Sequence, residues 1–399
     1  MKVLQINATY GLGSTGLIVK DIGDALTSAG HEAYFAYQSS SNDVEGGFAV
    51  GNKLDHKAHA LFCRFFGKQG YYSGGATKKL IRHIEKIKPD AVHLHNLHSN
   101  FVHLNKLLKY LGENDIPTVI TMHDCWFFTG KCFHYVDVGC DRFTSGCGNC
   151  PKKKAPPASL LFDCSAKVLK DRNKYLHAIP RLKMVGCSEW ICREAKKGIM
   201  SDLDVSAIRN GVDTAIFYER DKSEEKKTLA LEGKFVIIGM ANKWLLPSNA
   251  EFFGKIKSSL SENDRILLIG CSEEQIKALE NEEKIVAVGF VRDREALAKH
   301  YCAADVFVNV THADTLPTVN MESICCGTPV VTYDSCGSPE LVLDGCGYVV
   351  PEGDSDALIE KIKLVKNEKF EGVSEIGHVN FDKNICYEDY VRLYSDVVG

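Results

Sequence analysis

The stretch Asp314-Thr-Leu-Pro-Thr-Val-Asn-Met-Glu322-Ser-Ile-Cys-Cys-Gly327-Thr-Pro-Val-Val decides the fold of this chain and carries much of its chemistry. A helix is predicted to enter at 316–318, because a proline is tolerated where the backbone N–H would lack a partner. Gly327 is predicted to end that helix in the left-handed conformation, before an apolar strand. A helix N-terminus favours an anion. Glu322, expected within the first turn, is instead suited to accept hydrogen bonds from sugar hydroxyls. An anion site beside a hydroxyl acceptor fits a nucleotide sugar, whereas the alternative is an ordinary surface helix.

The length, composition and charge of the chain limit the classes of protein to which it can belong. A chain of 399 residues is expected to form two domains, and 45% hydrophobic with 25% charged residues is typical of soluble globular proteins. The net charge of −4 gives no reason to expect a nucleic-acid partner. The absence of a long apolar run or an evident signal peptide predicts a cytoplasmic protein, and a peripheral position on the inner face of the membrane stays open. The sixteen cysteines are therefore expected to be reduced.

Strand-like and helical segments alternate twice along the chain, which predicts an α/β fold of two doubly wound, Rossmann-like parallel-sheet domains. The expected boundaries are an N-terminal acceptor-side domain over 1–218, a C-terminal donor domain over 219–380, and a C-terminal helix over 381–399 that returns to the first domain. In such sheets ligands bind outside the carboxyl ends of the strands. We therefore expect the two domains to face each other across a ligand cleft.

The glycines Gly11, Gly13 and Gly16 directly follow the first predicted strand and open the first helix. Their G-x-G-x-x-G spacing favours close approach of the backbone to a diphosphate. A nicotinamide-binding domain would carry an acidic residue at the end of the second strand, but that strand ends in Tyr37-Gln38-Ser39. That absence weakens the nicotinamide interpretation and leaves phosphate contact by another ligand open. The alternative is a tight strand-to-helix turn, which would explain one or two of the glycines but not three so spaced.

His123 follows the buried run Val119–Met122, at the carboxyl end of a predicted strand. That position lies on the ligand side of a parallel sheet. A lone histidine is more often a structural residue, so the position makes the two interpretations about equally good. His93, His95 and His98 follow another strand and are interpreted as cleft lining or supporting residues.

Four cysteines in an insertion at about 125–157 have the spacing C-x7-C-x6-C-x2-C: Cys132, Cys140, Cys147 and Cys150. Four thiolates suit a tetrahedral structural zinc ion, and the final C-x2-C pair is typical of a metal-binding knuckle. The insertion has few apolar anchors of its own, so a metal would stabilise it. The alternative is four free cysteines.

The segment from Asp314 to Glu322 resembles the signature of retaining GT-B glycosyltransferases of the family 4 type, in which two acidic residues flank seven others. Here the first acidic residue is Asp rather than the usual Glu. Further stretches are similar to the same family, namely Arg209-Asn210-Gly211-Val212-Asp213 and the segment from Gly289-Phe290 to Asp305. The resemblance therefore covers nearly the whole chain.

The resemblance implies a set of roles. Glu322 would hold the ribose, the backbone at Thr315, Leu316, Pro317 and Thr318 would hold the diphosphate, and Asp314 would engage the sugar ring. His123 would contact the transferred sugar, while Asn210 and Phe290 would lie at the donor. The loop of Gly11, Gly13 and Gly16 would contact the donor phosphates or the acceptor. Relatives also carry a basic pair near positions 247–248, where this chain has Pro247 and Ser248. Lys243 is predicted to replace that pair as the cation of the diphosphate site.

These observations predict a glycosyltransferase that moves a sugar from a nucleotide-diphosphate donor to a glycan or lipid-linked acceptor in polysaccharide biosynthesis. The resemblance implies that the anomeric configuration is retained and that no catalytic metal or other cofactor is needed. The missing basic pair motivates an alternative, a slow or non-catalytic nucleotide-sugar-binding protein. A nicotinamide-dependent oxidoreductase is a weaker alternative.

Overall fold

The computed structural model describes all residues from Met1 to Gly399. The chain forms two compact units, of which unit 1 comprises Met1–Asn210 with Cys386–Gly399 and unit 2 comprises Gly211–Ile385. Each unit is built on one sheet whose strands are all parallel. The predicted α/β class with two doubly wound domains is therefore confirmed.

Unit 1 has a seven-stranded parallel sheet in the order β3-β2-β1-β4-β5-β6-β7. Its strands are β1 Lys2–Tyr10, β2 Glu32–Ser40, β3 Gly47–Ala49, β4 Ala91–Leu94, β5 Thr118–Met122, β6 Leu182–Gly186 and β7 Val205–Ala207. Its helices are α1 Gly13–Ser28, α2 Lys53–Phe66, α3 Gly74–Ile87, α4 Leu104–Glu113, α5 Ser165–Leu176 and α6 Glu189–Ala195. The strand order reverses between β1 and β4, so the loops that follow these two strands flank the crevice where such sheets bind ligands.

Unit 2 has a six-stranded parallel sheet in the order β10-β9-β8-β11-β12-β13. Its strands are β8 Phe235–Met240, β9 Asp264–Ile269, β10 Ile285–Val288, β11 Val306–Asn309, β12 Val330–Tyr333 and β13 Gly347–Val350. Its helices are α7 Lys222–Thr228, α8 Ala241–Trp244, α9 Ala250–Ser259, α10 Glu273–Leu279, α11 Arg294–Ala303, α12 Thr318–Cys325, α13 Ser355–Asn367 and α14 Val373–Phe381. Here the order reverses between β8 and β11, which places the loops after those strands at the ligand crevice.

The helix predicted from the 314–331 stretch is α12. Pro317 is its N-cap, and Gly327 follows its C-terminal end with φ of 79°. Because a positive φ is disfavoured for residues with a Cβ, glycine suits this stop. Glu322 is the fifth residue of α12 and lies in its second turn, so its expected place in the first turn was wrong by one turn.

The segment that follows Asn210 packs within unit 2. Val212 forms a bridge with Asp382, and its N–H donates to the Phe381 carbonyl at 2.7 Å. Lys383 forms an ion pair with Asp213 at 2.7 Å. These contacts place the boundaries of the compact units at 210/211 and 385/386, while the sequence predicted 218/219 and 380/381.

The last helix, α15 Lys383–Val398, supplies three buried tyrosines to the core of unit 1 from Cys386 onward. Tyr390 and Tyr394 pack with Val3 of β1 and Val185 of β6. No helix of the chain combines the length and apolarity that a bilayer crossing requires.

Candidate functional site

Lys243 lies in the short helix α8, at the carboxyl end of β8 and thus at the strand reversal of unit 2. The neighbouring Trp244 is fully buried and donates from its indole N–H to the Val308 carbonyl at 2.8 Å, which fixes α8 against β11. Gly239 makes room for that indole, because a Cβ there would lie 2.2 Å from it. The Lys243 ammonium group reaches the Thr311 hydroxyl at 3.1 Å and forms no ion pair. A half-buried cation without a carboxylate partner is suited to an anionic ligand.

The loop that follows β11 is held by buried amides. Asn309 at the end of β11 donates to the side chain of Asn320 in α12 at 2.8 Å and accepts from the Thr311 N–H at 3.1 Å. The Asp314 side chain accepts from the Leu316 N–H at 3.2 Å, and its carbonyl accepts from the Gly337 N–H at 3.2 Å. The loop is thereby fixed beside Lys243.

The N-terminus of α12 has no side-chain cap and no acidic residue in its first turn. The Leu316 N–H already donates to Asp314 and so is not available to a ligand. We therefore expect an anion at this helix end to bind the N–H groups of Thr318 and the next residue, rather than the whole predicted segment 316–318. Thr315 is 2% exposed, and its hydroxyl has no hydrogen-bond partner. A buried polar atom without a partner is uncommon and marks a position where a ligand or water completes the bonding.

Glu322 faces two residues of α11. The Tyr301 hydroxyl donates to the Glu322 Oε2 at 3.3 Å, and the Arg294 guanidinium acts on the same carboxyl group electrostatically. Burial raises the pKa of Glu322 to about 7, against the opposing effect of Arg294. Arg294 also lies over the Phe217 ring at 5.2 Å from its centroid. The carboxyl group is therefore held near its titration point and can accept hydrogen bonds once ionised.

Two further residues that were predicted to bind the donor, Phe290 and Asn210, differ from each other in exposure and lie in different units. Phe290 follows β10 and is 78% exposed, so its ring is free to stack on a ligand. Asn210 is the last residue of the main segment of unit 1, and its side chain is 4% exposed with a carbonyl oxygen that has no partner. The structure brings Lys243, Asp314 and the start of α12 together in unit 2, while Asn210 and His123 belong to unit 1.

Each glycine of the G-x-G-x-x-G loop has a local steric reason. Gly11 and Gly13 have φ of 66° and 65°, and a Cβ on Gly16 would lie 2.8 Å from the Thr9 hydroxyl. The Gly11 N–H donates to the Gly16 carbonyl at 2.9 Å, which closes the turn. A tight turn thus accounts for all three glycines, contrary to our expectation that it would explain only one or two. The loop still lies at the strand reversal of unit 1, and the N-terminus of α1 has neither a side-chain cap nor an acidic first turn.

His123 belongs to a buried relay of side chains at the carboxyl ends of β4 and β5. The Gln5 side-chain N–H₂ donates to the Val19 carbonyl at 3.1 Å, so its oxygen is the atom that meets His95 Nε2, also at 3.1 Å. His95 Nε2 must therefore carry the proton, and its Nδ1 must accept. Since His95 Nδ1 lies 3.0 Å from His123 Nε2, His123 carries its proton on Nε2 and keeps a bare Nδ1.

The electrostatics of His123 agree with a neutral ring. Burial lowers the pKa of His123 to about 4, although Asp124 opposes that effect. His93 is fully buried and contacts the Tyr394 hydroxyl at 2.6 Å and the Thr121 hydroxyl at 2.8 Å, so it is a structural residue rather than cleft lining. His98 pairs with Asp124 at 2.9 Å. His123 is thus a hydrogen-bond acceptor through Nδ1 and not a proton donor at neutral pH.

The cysteines of the insertion are free thiols that lie near one another. The Cys132 thiol hydrogen-bonds to Cys150, and Cys147 is close enough to both Cys140 and Cys150 to interact electrostatically. The Gly130 N–H donates to the Cys147 sulfur at 3.4 Å, and a backbone N–H donates to Cys150. No group of three or more His, Cys, Asp or Glu side chains is arranged to hold a metal ion. The four thiols fit zinc in type and number, although they do not form a preorganised metal site.

Sequence reasoning missed Tyr301, Thr311, Gln5 and the specific role of His95. These residues act through contacts between elements that are distant in the sequence, such as the 21 positions between Tyr301 and Glu322. Only the positions of Thr311 and His95 in the sequence could have indicated a role at the site. Each residue follows a strand that flanks a reversal of the strand order.

Two parallel-sheet α/β units, each with polar residues at the carboxyl ends of its strands, define the GT-B class of fold. Residues 16–216 match the family model described as Glycosyltransferase Family 4, and residues 247–377 match the model described as Glycosyl transferases group 1. The chain belongs to glycosyltransferase family 4.

Similar proteins agree with this assignment. The "Putative colanic acid biosynthesis glycosyl transferase WcaC" of Escherichia coli is 21% identical over 430 residues, which cover 100% of each chain. Sucrose-phosphate synthase of Thermosynechococcus elongatus has a similar fold, with a TM-score of 0.71 at 15% identity over 99% of this chain and 98% of that one. HepE of Anabaena, solved in complex with UDP, has a TM-score of 0.67 at 15% identity over 99% and 100%.

Proposed function

We propose that this glycosyltransferase transfers a sugar from a nucleoside-diphosphate donor to a glycan or lipid-linked acceptor in polysaccharide biosynthesis, in the cytoplasm and with retention of the anomeric configuration. The observation that carries the proposal is the arrangement at the strand reversal of unit 2. There the unpaired ammonium group of Lys243 lies beside the loop that leads into the uncapped N-terminus of α12. One turn further along that helix, Glu322 presents a hydroxyl acceptor. A cation and free N–H groups, followed by a hydroxyl acceptor, match a ligand in which a diphosphate is followed by a ribose.

The roles of the side chains follow from their contacts. Lys243 and the first N–H groups of α12 neutralise the diphosphate as its bond to the sugar breaks, which is electrostatic stabilisation of a leaving group. Glu322 accepts hydrogen bonds from the ribose hydroxyls, and Tyr301 and Arg294 orient it. Asp314, whose loop position is fixed by its contact with the Leu316 N–H, is proposed to engage the hydroxyls of the transferred sugar.

His123 is proposed to accept a hydrogen bond from a sugar hydroxyl through its bare Nδ1. Burial lowers the pKa of His123 to about 4, so the ring is uncharged at neutral pH and no role as a general acid is proposed for it. As the family resemblance implies, the acceptor hydroxyl oxygen bonds to the anomeric carbon, the bond from that carbon to the phosphate oxygen breaks, and the acceptor proton passes to the departing phosphate. No side chain is needed as a general base in this scheme.

The alternative is a protein that binds a nucleotide sugar without turnover. One observation favours it, since the turn Pro247–Asn249 carries no cation where the family resemblance leads us to expect a basic pair. A thermal-shift screen of UDP-, GDP-, ADP- and CDP-sugars identifies the donor, because a ligand of the folded state raises its melting temperature. Incubation of that donor with lipid and glycan fractions then tests transfer. Binding without product supports the alternative, and absence of any binding contradicts both.

We also propose that Cys132, Cys140, Cys147 and Cys150 hold one structural zinc ion. The support is the proximity of the four thiols, the two N–H···S hydrogen bonds, and the cations nearby. Lys131 and Arg172 both lie close enough to these cysteines to interact electrostatically, and a zinc ion with four thiolates carries a net negative charge. The metal would stabilise the insertion and take no part in the transfer.

A further inference from the structure

Helix α2 turns an apolar face toward solvent. Its buried side is narrow and formed by His59 and Cys63, whereas Leu61, Phe62, Phe65 and Phe66 are between 41% and 54% exposed. These four positions recur at the spacing of one helical face. A helix of a globular protein normally directs such a face into the core, so α2 exposes apolar side chains that are usually buried.

The end of the cysteine-rich insertion extends this apolar face. Residues 160–162, Leu-Leu-Phe, are each between 47% and 55% exposed. The Leu160 N–H donates to the Arg64 carbonyl at 2.8 Å, and the Leu161 N–H donates to the Phe65 carbonyl at 3.0 Å. The rings of Phe66 and Phe162 stack with centroids 6.3 Å apart. Residues 160–162 and the outward face of α2 therefore form one fixed surface, here termed the α2 patch.

The clustering of exposed apolar residues is uneven across the molecule. Eight of the 17 large hydrophobic residues that are exposed lie on α2 or at 160–162. Isolated exposed apolar residues are ordinary, but a contiguous patch of this kind marks an interaction surface.

Basic residues surround the α2 patch. Lys57 and Arg64 lie on α2, Lys68 follows its C-terminal end, and Lys153 donates to the Leu161 carbonyl at 3.1 Å. None of these four residues forms an ion pair. Aromatic and leucine side chains beside unpaired cations are the composition of helices that lie in the interface of a bilayer with anionic lipids.

We propose that the α2 patch is a membrane-docking surface, whose rings enter the interfacial layer of a bilayer while its cations meet anionic phospholipid headgroups. The sequence left open whether the protein lies peripherally on a membrane, and the proposal names the surface that would bind there. It is independent of the transfer reaction, so its failure leaves the nucleotide site untouched.

The test is flotation of the full chain with vesicles of phosphatidylcholine alone and with vesicles that also contain phosphatidylglycerol. The wild type should float with the anionic vesicles and be released by high salt. The double variant Phe62→Ser/Phe66→Ser should lose at least about tenfold in partitioning. The variant Lys57→Gln/Arg64→Gln should lose roughly fivefold for each cation removed. The matched control is Val379→Ser, an equally apolar residue of unit 2 that is 70% exposed, which should float like the wild type.

Melting temperatures and nucleotide binding of the variants report their folding. If the phenylalanine variant fails to fold, the charge variant, which leaves the apolar contacts in place, still decides the question. Wild-type protein that does not float, or that floats equally with neutral vesicles, overturns the proposal. So does a wild-type dimer in solution that the phenylalanine variant converts to a monomer, because the α2 patch would then bind a second copy of the chain.

Discussion

Replacement of Lys243 by methionine should weaken binding of the nucleoside diphosphate while leaving the nucleoside almost unaffected. Methionine keeps the apolar stem of lysine and removes only the ammonium group. That group contacts the Thr311 hydroxyl and no carboxylate, so no buried anion loses its partner. Thr311 also donates to the Ala313 carbonyl at 3.3 Å, so its hydroxyl keeps a partner in the variant. The change should therefore cost little stability.

The size of the effect follows from the type of bond that is lost. A hydrogen bond to a charged group contributes about 1.5–3 kcal/mol, which corresponds to roughly ten- to hundredfold in affinity. Lys243 is the only basic residue between Gly239 and Lys255, so no neighbour along the chain can replace it. The loss should fall in the upper part of that range if the group is desolvated by the bound diphosphate.

Isothermal titration calorimetry with the nucleoside, its monophosphate and its diphosphate separates the phosphate contribution from the rest. The matched control is Lys255→Met, because Lys255 is a lysine of the same unit whose ammonium group is already engaged in ion pairs with Glu251 and Asp356. That control should bind all three ligands like the wild type. Equal losses for nucleoside and diphosphate, or no loss for either, would refute the assignment and leave the phosphates to the N-terminus of α12 alone.

Three other predictions concern the remaining groups. Affinity for the nucleotide should rise with pH through about 7, because burial raises the pKa of Glu322 and its ionised form is the stronger acceptor of hydrogen bonds from ribose hydroxyls. Glu322→Gln should bind weakly, with no such pH dependence in calorimetry. The same raised pKa means that protonation favours the folded state, so this group's contribution to stability should be lost as pH rises through about 7, and Glu322→Gln should retain it in denaturant unfolding. Nitrogen NMR should find the His123 proton on Nε2 at neutral pH, and a protonated Nδ1 would contradict the relay through His95. Elemental analysis of reduced protein should find about one zinc per chain, and its removal should lower the melting temperature more than the donor affinity, whereas metal-free protein would disprove the site.

The sequence predicted those features that depend on local rules. Pro317 and Gly327 bound α12 because each restricts or permits a particular backbone conformation. The position of Lys243 at the carboxyl end of β8 could be predicted, because that edge of a parallel sheet is where ligands bind. The position of Glu322 was predicted one turn too early, since helix boundaries are less certain than helix existence.

Features that depend on tertiary contacts could not be predicted in this way. The proton on His123 Nε2 is fixed through Gln5, which is 118 positions away along the chain. The raised pKa of Glu322 arises from its burial in the fold. Periodicity shows that α2 has an apolar face but not which way that face points. The glycine loop shows a limit of motif reasoning, because a spacing associated with phosphate binding also satisfies the steric requirements of a tight turn. Its contact with a ligand stays a prediction.

Release of nucleoside diphosphate from a nucleotide sugar, followed together with formation of the glycosylated product, tests the central claim most directly. The donor selected by thermal shift is incubated with lipid-linked and glycan acceptors, and the anomeric configuration of the product is determined by NMR. We expect acceptor-dependent release, equal amounts of product and nucleoside diphosphate, and the same anomeric configuration as in the donor. A donor that binds but yields no product with any acceptor, or a product of inverted configuration, would contradict the account.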